Sequence, residues 1–198
     1  MVPGRVFVIS SPSGGGKTTI VKHVRRSLPR LGRSISVTTR APRSGERHGR
    51  DYQFISTAAF QAMRRKRALL ESAQVHGAWY GTPKLPIRDA IASGQSIILN
   101  IDVQGARNIR RVLGVQAVLI FLKPPSMARL RYRLQQRSTD APDVIRQRLA
   151  AAKRELACAK WYDHVVVNDH LDAAVAKVLR IIRRTLQRSK EPHAPHAD

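Results

Sequence analysis

Val6-Phe7-Val8-Ile9-Ser10-Ser11-Pro12-Ser13-Gly14-Gly15-Gly16-Lys17-Thr18-Thr19 decides how this chain folds. The run Val6 to Ile9 is β-branched and aromatic, so it reads as a buried strand, and the glycines after it end the strand in a loop. Beyond the loop Ile20, Val21, Val24 and Leu28 recur at helical spacing, and Pro29 stops the helix. Strand, glycine loop and helix in that order are the context that a phosphate loop requires, and Ser11 to Thr18 fits its pattern except that Ser11 stands at the first glycine. Glycines let successive backbone N–H groups turn inward around a phosphate, and the helix adds its positive N-terminal end. In that reading Ser13, Gly14, Gly15, Gly16, Lys17, Thr18 and Thr19 bind the nucleoside triphosphate. Lys17 meets the β- and γ-phosphates, and the Thr18 hydroxyl holds Mg²⁺.

Outward from the loop, further apolar runs at Ile97–Asp102, Ala117–Phe121 and His164–Val167 read as buried strands, with helical patterns between them. Near-continuous apolar strands alternating with helices predict an α/β fold of the P-loop NTPase type, a parallel sheet flanked by helices. The last helix, with Leu171, Val175, Val178, Ile182 and Leu186 on one stripe, is expected to pack on that sheet. Two stretches break the rhythm. Residues 36–85 alternate over short spans and predict a small inserted mixed α/β cap, while the Arg-rich residues 126–155 predict a helical lid. One domain follows, with its core in 1–35, 86–125 and 156–188 and a loose tail at 189–198.

The chain has 198 residues, of which 36 are Lys or Arg and 13 are Asp or Glu, for a formal charge of +23. Anionic partners are expected, either phosphorylated small molecules or, through non-specific phosphate attraction, nucleic acid. Aromatics are only 5% of residues and do not interleave with the basic ones, so no specific nucleic-acid surface is predicted. No apolar stretch is long enough to span a bilayer, and no secretory leader is read before Val6, which predicts a cytoplasmic protein. A single cysteine, Cys158, excludes an intrachain disulfide. Composition does not fix the oligomeric state.

The run Ser36-Val37-Thr38-Thr39-Arg40-Ala41-Pro42-Arg43-Ser44-Gly45-Glu46, continuing to Gly49-Arg50-Asp51-Tyr52, closely resembles the GMP-binding segment of guanylate kinases. Leu70-Glu71-Ser72-Ala73, Trp79-Tyr80-Gly81-Thr82, Ile101-Asp102-Val103-Gln104-Gly105, the series Arg133, Arg137 and Arg148, and Val167-Asn168-Asp169 extend the likeness in the same order, from Val6 to about Leu186. The resemblance implies ATP and GMP as substrates, with Mg²⁺. Arg40, Arg43, Tyr52 and Tyr80 would hold the GMP phosphate, and Ser36, Glu71, Thr82 and Asp102 would face the guanine. Asn168 would join the ATP site, and Arg133, Arg137 and Arg148 would close from the lid. The chemistry is consistent: a guanidinium grips phosphate through parallel hydrogen bonds, and a carboxylate accepts from both the N1–H and the amino group of guanine.

The sequence departs from the family pattern at three places. Asn100 stands where an aspartate is usual, Ser138 replaces a glycine after Arg137, and His170 replaces an acid. Other classes remain open at this point. A related P-loop kinase acting on a ribose bisphosphate would not need the guanine-facing set, and a binding module of the same shape would lack a working phosphate loop.

Overall fold

The computed structural model describes residues 2–75, 77–136 and 142–189. Strand β1 (Val6–Ser10) lies at the centre of a five-stranded, all-parallel sheet with β2 (Gly32–Arg33), β7 (Ile97–Asn100), β8 (Ala117–Lys123) and β9 (His164–Val167), in the order β2-β7-β1-β8-β9. Its residues alternate between two cores because strand side chains alternate between faces. Val6 and Val8 pack on one side with Leu99, Leu119 and Phe121, beneath α3 (Lys84–Ala92) and α4 (Val103–Leu113). Phe7 and Ile9 pack on the other side with Ile98, Ile120 and Leu122, against α1 (Lys17–Ser27) and α7 (Leu171–Arg188). Each fully buried side chain of this size contributes about 1.5–3 kcal/mol relative to exposure, so two apolar faces explain why β1 tolerates no polar residue before Ser10.

The predicted parallel sheet is present, with β2 as a fifth strand that the sequence did not announce. Ser189, counted in the loose tail, instead caps α7: its hydroxyl donates to the Thr185 carbonyl at 2.9 Å and accepts from Arg5 Nε at 3.0 Å. The rest of that tail, and with it His193 and His196, lies outside the described residues.

A second sheet sits between residues 37 and 83. Its order is β4-β3-β6-β5, from β3 (Val37–Thr38), β4 (Gln53–Phe54), β5 (Leu69–Val75) and β6 (Ala78–Pro83), and α2 (Thr57–Arg65) covers it. Phe60 of α2 stacks on Trp79 with ring centroids 5.7 Å apart. The opposite face is left for Glu71, Tyr80 and Thr82. Glu71 pairs with Thr82 and Ala73 with Tyr80 across the β5–β6 ladder, so these residues share one face by the two-residue period.

After β8, α5 (Met127–Gln135) and α6 (Pro142–Ala157) form the Arg-rich segment and meet through Leu130, Leu134 and Ala152. No helix among the described residues is long and apolar enough to cross a membrane.

Candidate active site

Parallel sheets present ligand sites beyond the carboxyl ends of their strands, where neighbouring connections diverge. Here the ends of β1, β7 and β9 deliver the phosphate loop, Asn100 with Asp102, and Asn168 to one edge. The loop itself is braced from within. The Gly15 N–H donates to the Pro12 carbonyl at 2.9 Å, and Lys17 Nζ donates back across the loop to the Ser11 carbonyl at 2.7 Å. Asn168, buried beneath the loop, donates to the Gly15 carbonyl at 2.8 Å, while its own carbonyl accepts from Arg133 Nη2 at 3.0 Å. Asn168 thus buttresses the loop and ties Arg133 of α5 to it.

Gly16 has φ +92°, and a Cβ there would lie 2.5 Å from Asn168 Nδ2. Two costs coincide, left-handed backbone and a clash with the buttress. We expect Gly16→Ala to weaken ATP binding at least tenfold and to destabilise the fold by about 1–3 kcal/mol. Calorimetric titration with ATP and a thermal melt check both parts.

The second sheet supplies the facing wall. Thr82 Oγ1 donates to Glu71 Oε1 at 2.7 Å, and both residues are buried. Gly105 seats the same carboxylate, because a Cβ there would stand 3.0 Å from Glu71 Oε2. Burial pushes the Glu71 carboxyl up to about 7; the Thr82 bond works against that rise, and the charge of Asp102 adds to it. Asp102 is the N-cap of α4, its Oδ1 accepting from the Gly105 N–H at 2.7 Å. One segment therefore sets the cap, the glycine and the carboxylate in register.

Arg40 Nε donates to the Tyr80 hydroxyl at 3.1 Å, and its Nη2 donates to both oxygens of Glu46, at 3.0 and 2.9 Å. Burial works against the charge on Arg40, but the bonds to Glu46 and Tyr80 hold its pKa above the ordinary arginine value. Tyr52 stands edge-on to Tyr80, centroids 6.0 Å apart, and burial raises its phenol.

One cleft is lined by Ser13 to Thr19 on one wall, by Ser36, Arg43, Tyr52, Glu71 and Tyr80 on the other, and by Asn100 and Asp102 at its floor. Thr82 lies behind Glu71 rather than on the cleft surface, and Arg40 reaches the cleft through Tyr80. Arg148 sits half-buried on α6. Arg137 and Ser138 fall outside the described residues. Asn100 Nδ2 donates to Thr18 Oγ1 at 3.3 Å, so the residue in place of the usual aspartate touches the loop threonine directly. His170 is the N-cap position of α7 and is exposed.

Two residues of the site do not stand out in the sequence. Glu46 belongs to the quoted motif, yet its partner Arg40 emerges only once the turn at Arg43 folds back, with the Arg43 N–H donating to Glu46 Oε2 at 2.8 Å. Glu155 also lines the cleft. Its sequence signal is its place seven residues after Arg148, which puts both on one helix face.

A sequence profile described as guanylate kinase matches residues 3–185. A protein of Gloeobacter violaceus named guanylate kinase is 48% identical over 178 residues, covering 90% of this chain and 86% of that protein. Another of that name, from Nocardia farcinica, is 44% identical over 187 residues and covers 93% of this chain and 96% of its own length. The crystal structure of guanylate kinase from Anaplasma phagocytophilum superposes with a TM-score of 0.80 at 32% identity, covering 100% of this chain and 98% of that one. A gluconokinase from Sinorhizobium meliloti, at 13% identity and a TM-score of 0.52, shares the fold alone.

Proposed function

The chain belongs to the guanylate kinase family and is a nucleoside-monophosphate kinase of the ATP:GMP phosphotransferase type; on that premise we propose that it moves the γ-phosphoryl group of ATP in line onto the phosphate of GMP, giving ADP and GDP. The observation that carries this reading is the single cleft in which Ser13, Lys17 and Thr18 face Tyr52, Glu71 and Tyr80. Phosphoryl transfer asks a protein mainly for alignment and charge neutralisation, and no covalent nucleophile is needed.

Each wall has its share. The Ser13 to Thr19 amides and Lys17 hold the ATP phosphates, and Lys17 offsets charge on the group in flight. Arg40, Arg43, Tyr52 and Tyr80 hold the GMP phosphate. Because the Tyr80 hydroxyl accepts from Arg40 Nε, its own proton is left to donate to phosphate. Thr82 takes one lone pair of Glu71 Oε1, and the remaining carboxylate sites accept from guanine N1–H and its amino group. Ser36 donates to O6, and Asp102, with Oδ1 committed to its cap, offers Oδ2 to the amino group.

The residues present fit Mg²⁺, a hard cation that keeps most of its waters and binds chiefly through substrate phosphates. The Thr18 hydroxyl, steadied by Asn100, would hold it, and when bound it would neutralise negative charge on the β- and γ-phosphates. Arg133, Arg137 and Arg148 close from the lid and exclude water, which would otherwise accept the phosphoryl group. The reaction suits a cytoplasmic role in purine nucleotide metabolism, returning GMP to the diphosphate pool.

The Glu71 assignment has a sign in pH. Guanine needs the ionised carboxylate, and with a pKa of about 7 roughly half is ionised at pH 7 and about a tenth at pH 6. We expect kcat/KM for GMP to rise about fivefold from pH 6 to pH 7, and that rise to be absent in Glu71→Gln. An identical slope in both proteins would remove Glu71 from guanine recognition.

A further inference from the structure

One carboxylate in the cleft has no part in the transfer as described. Glu155 lies in the last turns of α6 and lines the same cleft as Ser13 and Lys17. Its Oε2 is fully buried and has no hydrogen-bond partner among the described residues. Ser13 and Lys17 line the cleft beside it; burial raises its pKa, and the charge of Lys17 and the Ser13 backbone N–H work against that rise. Buried polar atoms are nearly always paired, and each exception costs stability. A glutamate kept in such a place opposes stability, so a positional task is the natural explanation.

The packing around it shows what it could position. Leu130 and Leu134 of α5 and Ala152 of α6 form one apolar cluster. The same two leucines rest on the phosphate loop: a Cβ on Gly14 would stand 3.0 Å from Leu134 Cδ2 and 3.3 Å from Leu130 Cδ1. Arg148 precedes Ala152 by four residues and Glu155 follows it by three, so all three share a helix face. Glu155 therefore reaches the cleft from α6, behind the α5 leucines that rest on the loop, and Arg148 stands on the same face about 10 Å away along the axis.

We propose that Glu155 is a positioning residue for the transfer: by accepting from the Ser13 N–H it fixes α6 against the phosphate loop and so aims Arg148 at the transferred phosphoryl group. The inference rests on the assignment of Arg148 to the phosphates under the proposed function. What matters is an acceptor oxygen at the right reach. Glutamine supplies that oxygen without the charge; aspartate keeps the charge but falls about 1.5 Å short.

The test is steady-state kinetics on Glu155→Ala, Glu155→Gln, Glu155→Asp, Arg148→Ala and the Glu155→Ala/Arg148→Ala double variant, with thermal melts and calorimetric GMP binding alongside. A misplacement of about 1 Å can cost a hundredfold, so Glu155→Ala and Glu155→Asp are expected to lose about ten- to a hundredfold in kcat with GMP affinity within about twofold of wild type. Glu155→Gln should recover most of kcat. The double variant should be no slower than Arg148→Ala, because the two residues act as one unit. Losses that multiply in the double variant, a Glu155→Gln as slow as Glu155→Ala, or a Glu155→Ala with normal kcat would each overturn the proposal. Should Glu155→Ala fail to fold, the Gln and Asp pair decides it alone. A slow Arg148→Ala beside a normal Glu155→Ala sinks only this inference, whereas a normal Arg148→Ala sinks the Arg148 assignment itself.

Discussion

Lys17→Ala is expected to lower kcat about a thousandfold or more while leaving GMP affinity within about twofold, as read by ADP formation and by calorimetric titration with GMP. The size follows from what the ammonium does. It donates to the Ser11 carbonyl at 2.7 Å and to Ser11 Oγ at 3.3 Å, which holds it across the loop. Under the proposed function the same group would stand beside the phosphates whose charge grows as the bond breaks, and a preorganised charge aimed at a transition state commonly supplies several kcal/mol. A thousandfold is about 4 kcal/mol. GMP binding is spared because Lys17 braces the phosphate-loop wall, whereas Glu71 is held by Thr82 and Tyr80 by Arg40 on the wall opposite. A loss that fell on GMP affinity as heavily as on turnover would mean that the two walls of the cleft are not separate sites.

Glu71→Gln should act on the other wall. Its side chain keeps the size of glutamate but turns one oxygen into an N–H₂ donor, which would then face guanine donors from a position that is itself buried. Thr82, which now donates to Glu71 Oε1 at 2.7 Å, can keep its bond to the amide oxygen. We expect kcat/KM for GMP to fall about a hundredfold, consistent with about 2–3 kcal/mol for a lost charge-assisted hydrogen bond and a misplaced donor. Turnover at saturating GMP should fall far less, because guanine lies remote from the transferred group. Discrimination against AMP should shrink with it, since adenine has no proton at N1 and the amide can serve it better than the carboxylate did. A variant that kept full selectivity for GMP would move the specificity elsewhere in the cleft.

These expectations draw on parts of the molecule that are legible in the amino-acid sequence to different degrees. The phosphate loop is plain because its glycines and Lys17 have fixed spacing and the adjoining strand, buried on both faces, is a continuous apolar run. The same logic locates β7 and β8, whereas β9, expected as a buried strand, is an edge strand that buries only Val166, because no further strand covers its outer side. β2, β3 and β4 are not individually readable: each is two residues long, too short for any period, and each exists only because a neighbour offers a ladder. Glu71, Tyr80 and Thr82 can be named from the resemblance, but their shared face depends on the β5–β6 register, and the Thr82 bond to Glu71 depends on it too. Asp102, expected at the guanine, is the helix cap that holds Gly105 under Glu71. The pairing of Arg40 with Glu46 and the burial of Glu155 come from a chain reversal and from the packing of α5 and α6, which local sequence does not encode.

The central claim is that a triphosphate cradle and a guanine-selective pocket meet in one cleft. It is tested most directly by ADP formation from ATP and Mg²⁺ with GMP, AMP, CMP and UMP offered separately as acceptors. Turnover with GMP alone, the others lower by at least about three orders of magnitude, is the result predicted here. Comparable turnover with AMP would contradict it.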